Sequence, residues 1–125
     1  MTVPILKQGH ILIASIQAAL TDRDLIELKD ELTTKVGQFR SRGVIIDVSA
    51  LDVMDSFAAR TLRNVAEATR LRGARMVIVG IQPDVAFSMV QLGLGLGEIS
   101  TALDLEEGLE MLAAFGLEAG GADER

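Results

Sequence analysis

The chain has 125 residues, of which 49% are hydrophobic and 24% charged, a composition that fits one globular core and argues against disorder, collagen or a disulfide scaffold. It has 0 cysteines, which excludes disulfides, zinc–thiolate centres and cysteine nucleophiles and fits a reducing compartment. With 18 acidic against 12 basic residues the formal charge is -6, the wrong sign for a general phosphate-backbone binder, so no nucleic acid partner is expected.

Residues 1–9 lack the basic start and long apolar stretch of a signal peptide, and no apolar run reaches bilayer length; a soluble, cytoplasmic protein with no membrane partner is expected. Residues 4–7 and 10–16 read as extended runs joined by Gln8-Gly9, a hairpin whose first, proline-led strand lies at a sheet edge. Thr21, with Asp22 and Asp24, has the chemistry of an N-cap and acidic first turn. Leu25, Leu28, Leu32, Val36 and Phe39 then recur at helical spacing, predicting about five turns that end near Arg42-Gly43. Residues 44–48 (VIIDV) and 76–79 (MVIV) are the continuous apolar runs of central strands covered on both faces.

Between those strands, residues 56–72 predict a helix with Ala58, Leu62, Val65 and Thr69 on one stripe and Gly73 just past its end. Pro83 suits the first turn of a third helix carrying Val85, Ala86, Met89, Val90 and Leu92 and closed by Gly93. Residues 100–103 suggest a last edge strand, Leu105, Leu109 and Leu112 a fourth helix, and residues 116–125 a mobile Gly- and acid-rich tail. The alternation predicts a single α/β domain: a mixed, mostly parallel sheet of four to five strands with four packed helices, in the order β-β-α-β-α-β-α-(β)-α. Four Phe with no Trp or Tyr leave a core of Leu, Ile, Val, Ala and Met and no aromatic platform for nucleic acid bases.

Catalytic chemistry has little to work with. The single histidine, His10, falls on a predicted strand, and Met54-Asp55-Ser56-Phe57-Ala58 lacks the flanking glycines of a nucleophile elbow, so a hydrolase using Ser56 and His10 is the least favoured reading. Gly93-Leu94-Gly95-Leu96-Gly97 follows a helix and lacks dinucleotide-fingerprint spacing, which leaves a flexible connection; there is no Walker motif and no metal-ligand cluster. No enzyme activity, cofactor or metal is expected.

The informative segment runs from Asp47 to Phe57, leaving a central strand at its carboxyl end and entering a helix with Ser56 as the expected N-cap. The plain reading of Ser56 is a cap worth about 1 kcal/mol. The functional alternative is a charge switch: a phosphoserine carries about −1.5 to −2 charges, which a helix N-terminus tolerates but which, beside Asp52 and Asp55, a docked partner cannot ignore. Residues 56–75 hold Arg60, Arg63, Arg70, Arg72 and Arg75 against Glu67, a net +4, while residues 98–125 carry a net -7; a solvated helix face is the default reading of most of these charges, and the alternative is a basic helix next to the switch that docks an acidic surface.

The runs Pro4-Ile5-Leu6-Lys7, Val44-Ile45-Ile46-Asp47 followed by Asp55-Ser56-Phe57, Gly80-Ile81-Gln82-Pro83 with Val85-Ala86, and Thr101-Ala102-Leu103-Asp104-Leu105-Glu106 occur in order along nearly the whole chain. With them the sequence resembles the STAS domain family of anti-sigma-factor antagonists, and within it the RsbS-type scaffolds of the bacterial stressosome. The resemblance implies a STAS domain over residues 1–116, with an acidic tail at 117–125. It implies a phospho-acceptor at Ser56; from the charge and position of the residues around that serine, partner contacts are expected at Asp55, Phe57, Arg60 and Arg63. For partners it implies an RsbT-type serine kinase, RsbR-type STAS paralogues and an RsbX-type phosphatase, in a homo-oligomer or large hetero-oligomer that releases the kinase on phosphorylation. RsbR-type relatives carry an additional N-terminal sensor domain, so a chain that opens on its first strand is expected to be of the RsbS type. Sporulation-type antagonists show paired serines followed by glycine at the switch; Asp55-Ser56-Phe57 departs from that pattern and favours kinase sequestration over a soluble anti-anti-sigma complex, the alternative. Phe57 is left as either a core residue or a partner anchor.

Overall fold

The computed structural model describes residues 3–116, so the expected acidic tail at 117–125 lies outside the described residues. Five strands, β1 (Ile5–Gln8), β2 (Ile11–Ser15), β3 (Gly43–Asp47), β4 (Arg75–Val79) and β5 (Ser100–Ala102), form one sheet in sequence order. β1 pairs antiparallel with β2 and every other pair is parallel. Gln8 pairs with Ile11, so the hairpin turn is Gly9-His10, one residue later than expected, with Gly9 supplying a φ of 60°.

Four helices, α1 (Asp22–Phe39), α2 (Ser56–Leu71), α3 (Pro83–Leu92) and α4 (Leu105–Ala114), join and follow the strands. The α1 start is a full capping box: Thr21 Oγ1 accepts from the Asp24 N–H and Asp24 Oδ2 from the Thr21 N–H, each at 3.1 Å. That helix stops at Phe39, short of the expected Arg42-Gly43, because Arg40 turns left-handed (φ 52°) and donates its N–H to the Val36 carbonyl.

Strand alternation sends the two sides of the sheet to different partners. Leu12, Ala14, Val44, Ile46, Met76 and Ile78 pack under α1, α2 and α3, meeting Leu28, Leu32, Leu62, Val65 and Val85. Ile11, Ile13, Ile45, Val77 and Val79 face α4, whose Leu112 is fully buried among them. α4 lies close because Gly108 faces the sheet: a Cβ there would sit 2.7 Å from Val79 Cγ1. None of the four Phe belongs to the buried core, which is aliphatic as the composition requires.

Of the apolar residues that α3 carries, only Val85 and Met89 are buried, while Val90 and Leu92 are 78% and 68% exposed. Val90 lies on the outer side of the short helix with Phe87, and Leu92 in its last turn lies beyond the sheet's cover. The Gly93–Gly97 connection is anchored rather than loose: Leu94 and Leu96 pack against the main core, and Arg63 donates a hydrogen bond to the Gly95 carbonyl.

Candidate functional site

Ser56 follows the carboxyl end of β3, on a loop fixed at several points. The Val48 N–H donates to the Val79 carbonyl at 3.0 Å, the Ser49 N–H to Asp47 Oδ1 at 2.9 Å and the Leu51 N–H to the Val48 carbonyl at 2.9 Å. The neighbouring β4–α3 loop clasps this one, since Gln82 Nε2 donates to the Ser49 carbonyl at 2.8 Å. At Gly80 (φ +82°) a Cβ would lie 2.8 Å from Ser49 Cβ, so only glycine lets the two loops approach this closely. Leu51 and Met54 are buried and pin the segment from beneath, while Asp52, Val53, Asp55 and Ser56 are exposed.

The expectation that Ser56 caps α2 is corrected. Asp55 is the N-cap: its backbone is extended and its Oδ1 accepts from the Ala58 N–H at 2.8 Å. Asp55 and Ser56 both have cap chemistry, and the earlier residue takes the role because its short carboxylate reaches the third helical N–H. Ser56 is therefore the first helical residue, solvent-exposed and absent from the cap.

Phe57 is half-buried and lies outside the core, with the Arg60 guanidinium 5.9 Å from its ring centroid, a contact worth about 0.5–1 kcal/mol at an exposed site. Arg60 stands four residues after Ser56, one turn along the same helix face. Asp55, Ser56, Phe57 and Arg60 are thus brought together.

Arg63 is not part of that group. It lies seven residues along α2, about 10 Å of helix rise from Ser56, and its guanidinium is held by the Gly95 carbonyl. The remaining arginines of the basic stretch are also dispersed: Arg70 pairs with Glu67 at 2.6 Å, Arg72 reaches the Thr33 carbonyl of α1 at 3.5 Å, and Arg75 lies over the Phe115 ring at 4.0 Å. Only Arg60 flanks the serine.

Val53, 63% exposed between Asp52 and the buried Met54, is a surface apolar residue that the sequence reading did not single out. The run Ala50-Leu51-Asp52-Val53-Met54 gave no signal for it, because Leu51 and Met54 on either side are apolar too and only the fold shows that they are buried and Val53 is not.

His10 cannot serve Ser56. It sits in the β1–β2 turn, where its carbonyl accepts from the N–H groups of Arg42 and Gly43 at 2.7 and 3.2 Å, level with the start of β3. Ser56 lies past the other end of the same strand, about 16 Å away for five residues of strand rise. Among the described residues no group of three His, Asp or Glu side chains is placed to hold a metal ion, and no helix is long and apolar enough to cross a membrane.

Comparison with known proteins agrees with this architecture. RsbS from Moorella thermoacetica carrying a serine-to-glutamate substitution superposes with a TM-score of 0.79 at 35% identity, covering 91% of this chain and 97% of that one. A chain from a structure describing the molecular architecture of the stressosome, a signal integration and transduction hub, superposes with a TM-score of 0.75 at 36% identity, covering 90% of this chain and 98% of that one. The RsbT co-antagonist protein RsbRA of Bacillus subtilis (strain 168) is 32% identical over 83 residues, which are 66% of this chain but only 30% of that relative's length. The family model for the STAS domain matches residues 2–108, and the chain belongs to the STAS domain family.

Proposed function

We propose that this chain is a non-enzymatic stressosome scaffold protein that holds an RsbT-type serine kinase and releases it when Ser56 is phosphorylated. The observation that carries this reading is the position of Ser56: exposed, first in α2, excused from capping by Asp55, and set on a loop that Leu51 and Met54 anchor. A kinase can reach such a hydroxyl, and its esterification removes no hydrogen bond that holds the helix.

The electrostatics supply the switch. A phosphate on Ser56 adds about −1.5 to −2 charges beside Asp55 and Asp52. The helix N-terminus offsets part of that charge, and Arg60, one turn on, is the cation in reach to exchange its Phe57 contact for the phosphate. The surface then changes from an apolar and mixed-charge patch, built on Val53, Phe57 and Arg60, to a strongly anionic one, while the core beneath is untouched. A partner docked against the unmodified patch loses its contacts by repulsion rather than by unfolding of its host.

The similarity to RsbS and to a stressosome chain over nine-tenths of this chain supports assembly with RsbR-type STAS paralogues. An RsbX-type phosphatase would return Ser56 to its free state. Incubation with the cognate kinase and ATP, followed by intact-mass measurement, tests the reading. One added phosphate, mapped to Ser56 and abolished by Ser56→Ala, is expected; a chain that stays unmodified, or is modified equally in Ser56→Ala, overturns it.

A further inference from the structure

Among the described residues α4 is the one helix on its side of the sheet, and it runs against the strand direction. It begins after the carboxyl end of β5 with Asp104 as its N-cap. Gly108 then lies against Val79 at the carboxyl end of β4, Leu112 against Gly43 at the start of β3, and Phe115 against Arg75 at the start of β4. The helix thus spans the sheet from one end to the other. Gly108 and Leu112 are buried beneath it, while Glu106, Glu110 and Ala113, spaced four and three residues apart, form an exposed outer stripe.

That stripe has carboxylates at one end and guanidiniums at the other. Glu106 lies in the first turn, where the helix dipole favours a negative charge. Glu110 lies beyond it, four residues from Glu106, a like-charge spacing that costs helix stability. Among the described residues neither carboxylate has a cation partner. At the opposite end the Arg75 guanidinium rests on the Phe115 ring at 4.0 Å, which covers one face of its plane and leaves its N–H edges to an acceptor. Arg42 is its neighbour, since the Arg75 N–H donates to the Arg42 carbonyl at 2.9 Å, and neither arginine has a carboxylate partner among the described residues. The same polarity runs through the domain: Asp55, Asp84 and Asp104 lie toward the carboxyl ends of the strands, Arg40, Arg42 and Arg75 toward the amino ends.

We infer that α4 is a contact face between two copies of this chain, related by a two-fold axis, with the helices antiparallel and Glu106 and Glu110 of each copy against Arg75 and Arg42 of the other. A two-fold interface is self-complementary, so each of these contacts is made twice. Antiparallel alignment joins opposite charges at both ends, whereas parallel alignment sets acid against acid and arginine against arginine. From Glu106 to Phe115 the helix rises about 13 Å, and a crossing near Met111 brings Glu106 of one copy opposite Phe115, and with it Arg75, of the other. Ala113 and Ala114 are small and exposed and let the two backbones approach, while the exposed parts of Leu105 and Phe115 supply apolar contact. With only 10 residues in α4 the contact is short, which places the dimer in the micromolar range. Exposed ion pairs add little affinity each; here they set the orientation. The contact does not depend on kinase retention or on Ser56.

Sedimentation equilibrium of the full chain alone, without kinase, ATP or paralogues, tests the contact and leaves the phosphorylation switch untouched whichever way it falls. A dimer that dissociates in the micromolar range and weakens with added salt is expected. Reversing the acidic end (Glu106→Lys with Glu110→Lys) or the arginine end (Arg42→Glu with Arg75→Glu) should weaken self-association about tenfold or more. An equimolar mixture of the two reversed variants should pair with about the parent's affinity, because every contact in the mixed dimer again joins opposite charges. Thermal unfolding of each variant reports whether the fold is retained, and the single reversals Glu110→Lys and Arg75→Glu repeat the exchange where a double variant unfolds. A chain that stays monomeric at about 1 mM overturns the contact. So does a dimer that both reversals leave intact, and so do reversed variants that remain apart when mixed.

Discussion

Replacing Asp55 and Ser56 separately by alanine distinguishes a capping serine from a free one. Asp55→Ala removes the 2.8 Å hydrogen bond from the Ala58 N–H and leaves that donator to water, since the cap is exposed. Such a loss costs about 1 kcal/mol, within a range of roughly 0.5–2. Ser56→Ala removes an exposed side chain that takes no part in the cap and puts the best helix former at a helical position, so stability should hold or rise by a few tenths of a kcal/mol. Asp55→Asn keeps a competent cap and should stay near the parent. Urea unfolding followed by far-ultraviolet circular dichroism resolves the difference: with a slope of about 2 kcal/mol per molar urea, Asp55→Ala lowers the midpoint by about 0.5 M while Ser56→Ala leaves it in place. If Ser56→Ala loses 1 kcal/mol or more and Asp55→Ala loses nothing, the cap is the serine and the argument for a freely modifiable hydroxyl fails.

Three further outcomes follow from the packing and the proposed assembly. Gly108→Ala brings a Cβ to 2.7 Å from the buried, β-branched Val79, and overpacking of about 1–3 kcal/mol should outweigh the roughly 1 kcal/mol of helix propensity gained. Thermal unfolding should show a lowered midpoint, recovered in part by adding Val79→Ala. Gly80→Ala forces a left-handed alanine against Ser49 and should cost about 2 kcal/mol or more, with faster hydrogen exchange in residues 48–55 as the local readout. Mixing the chain with RsbR-type paralogues should give a particle far larger than a dimer by light scattering; a mixture that stays at dimer mass favours the soluble anti-anti-sigma alternative.

Much of this architecture was readable where local chemistry and tertiary packing agree. Residues 44–48 and 76–79 look like central strands because both of their faces are covered, and the structure covers them with three helices on one side and α4 on the other. Thr21 and Pro83 announce helix starts whose chemistry needs no tertiary context. The errors fall where two neighbours compete or where burial is decided by distant geometry. Asp55 and Ser56 are both good caps, and the one that acts is the one whose backbone is extended at the helix start, Asp55. Val90 and Leu92 have the residue type of a core helix, but α3 is short and presents only Val85 and Met89 to the core.

The five arginines between residues 56 and 75 read by default as solvated charges with a docking surface as the alternative, and the fold sends them in separate directions.

The measurement that bears most directly on the proposed switch is the affinity of the RsbT-type kinase for the chain before and after stoichiometric phosphorylation, with the unfolding midpoint recorded for both forms. The account predicts at least tenfold weaker binding by the phosphorylated form, a midpoint within about 1 kcal/mol of stability of the parent, and a smaller loss of affinity in Ser56→Asp, whose carboxylate reproduces only part of the charge. Equal affinity for the two forms, or a loss of affinity that appears only together with loss of the folded state, would contradict it.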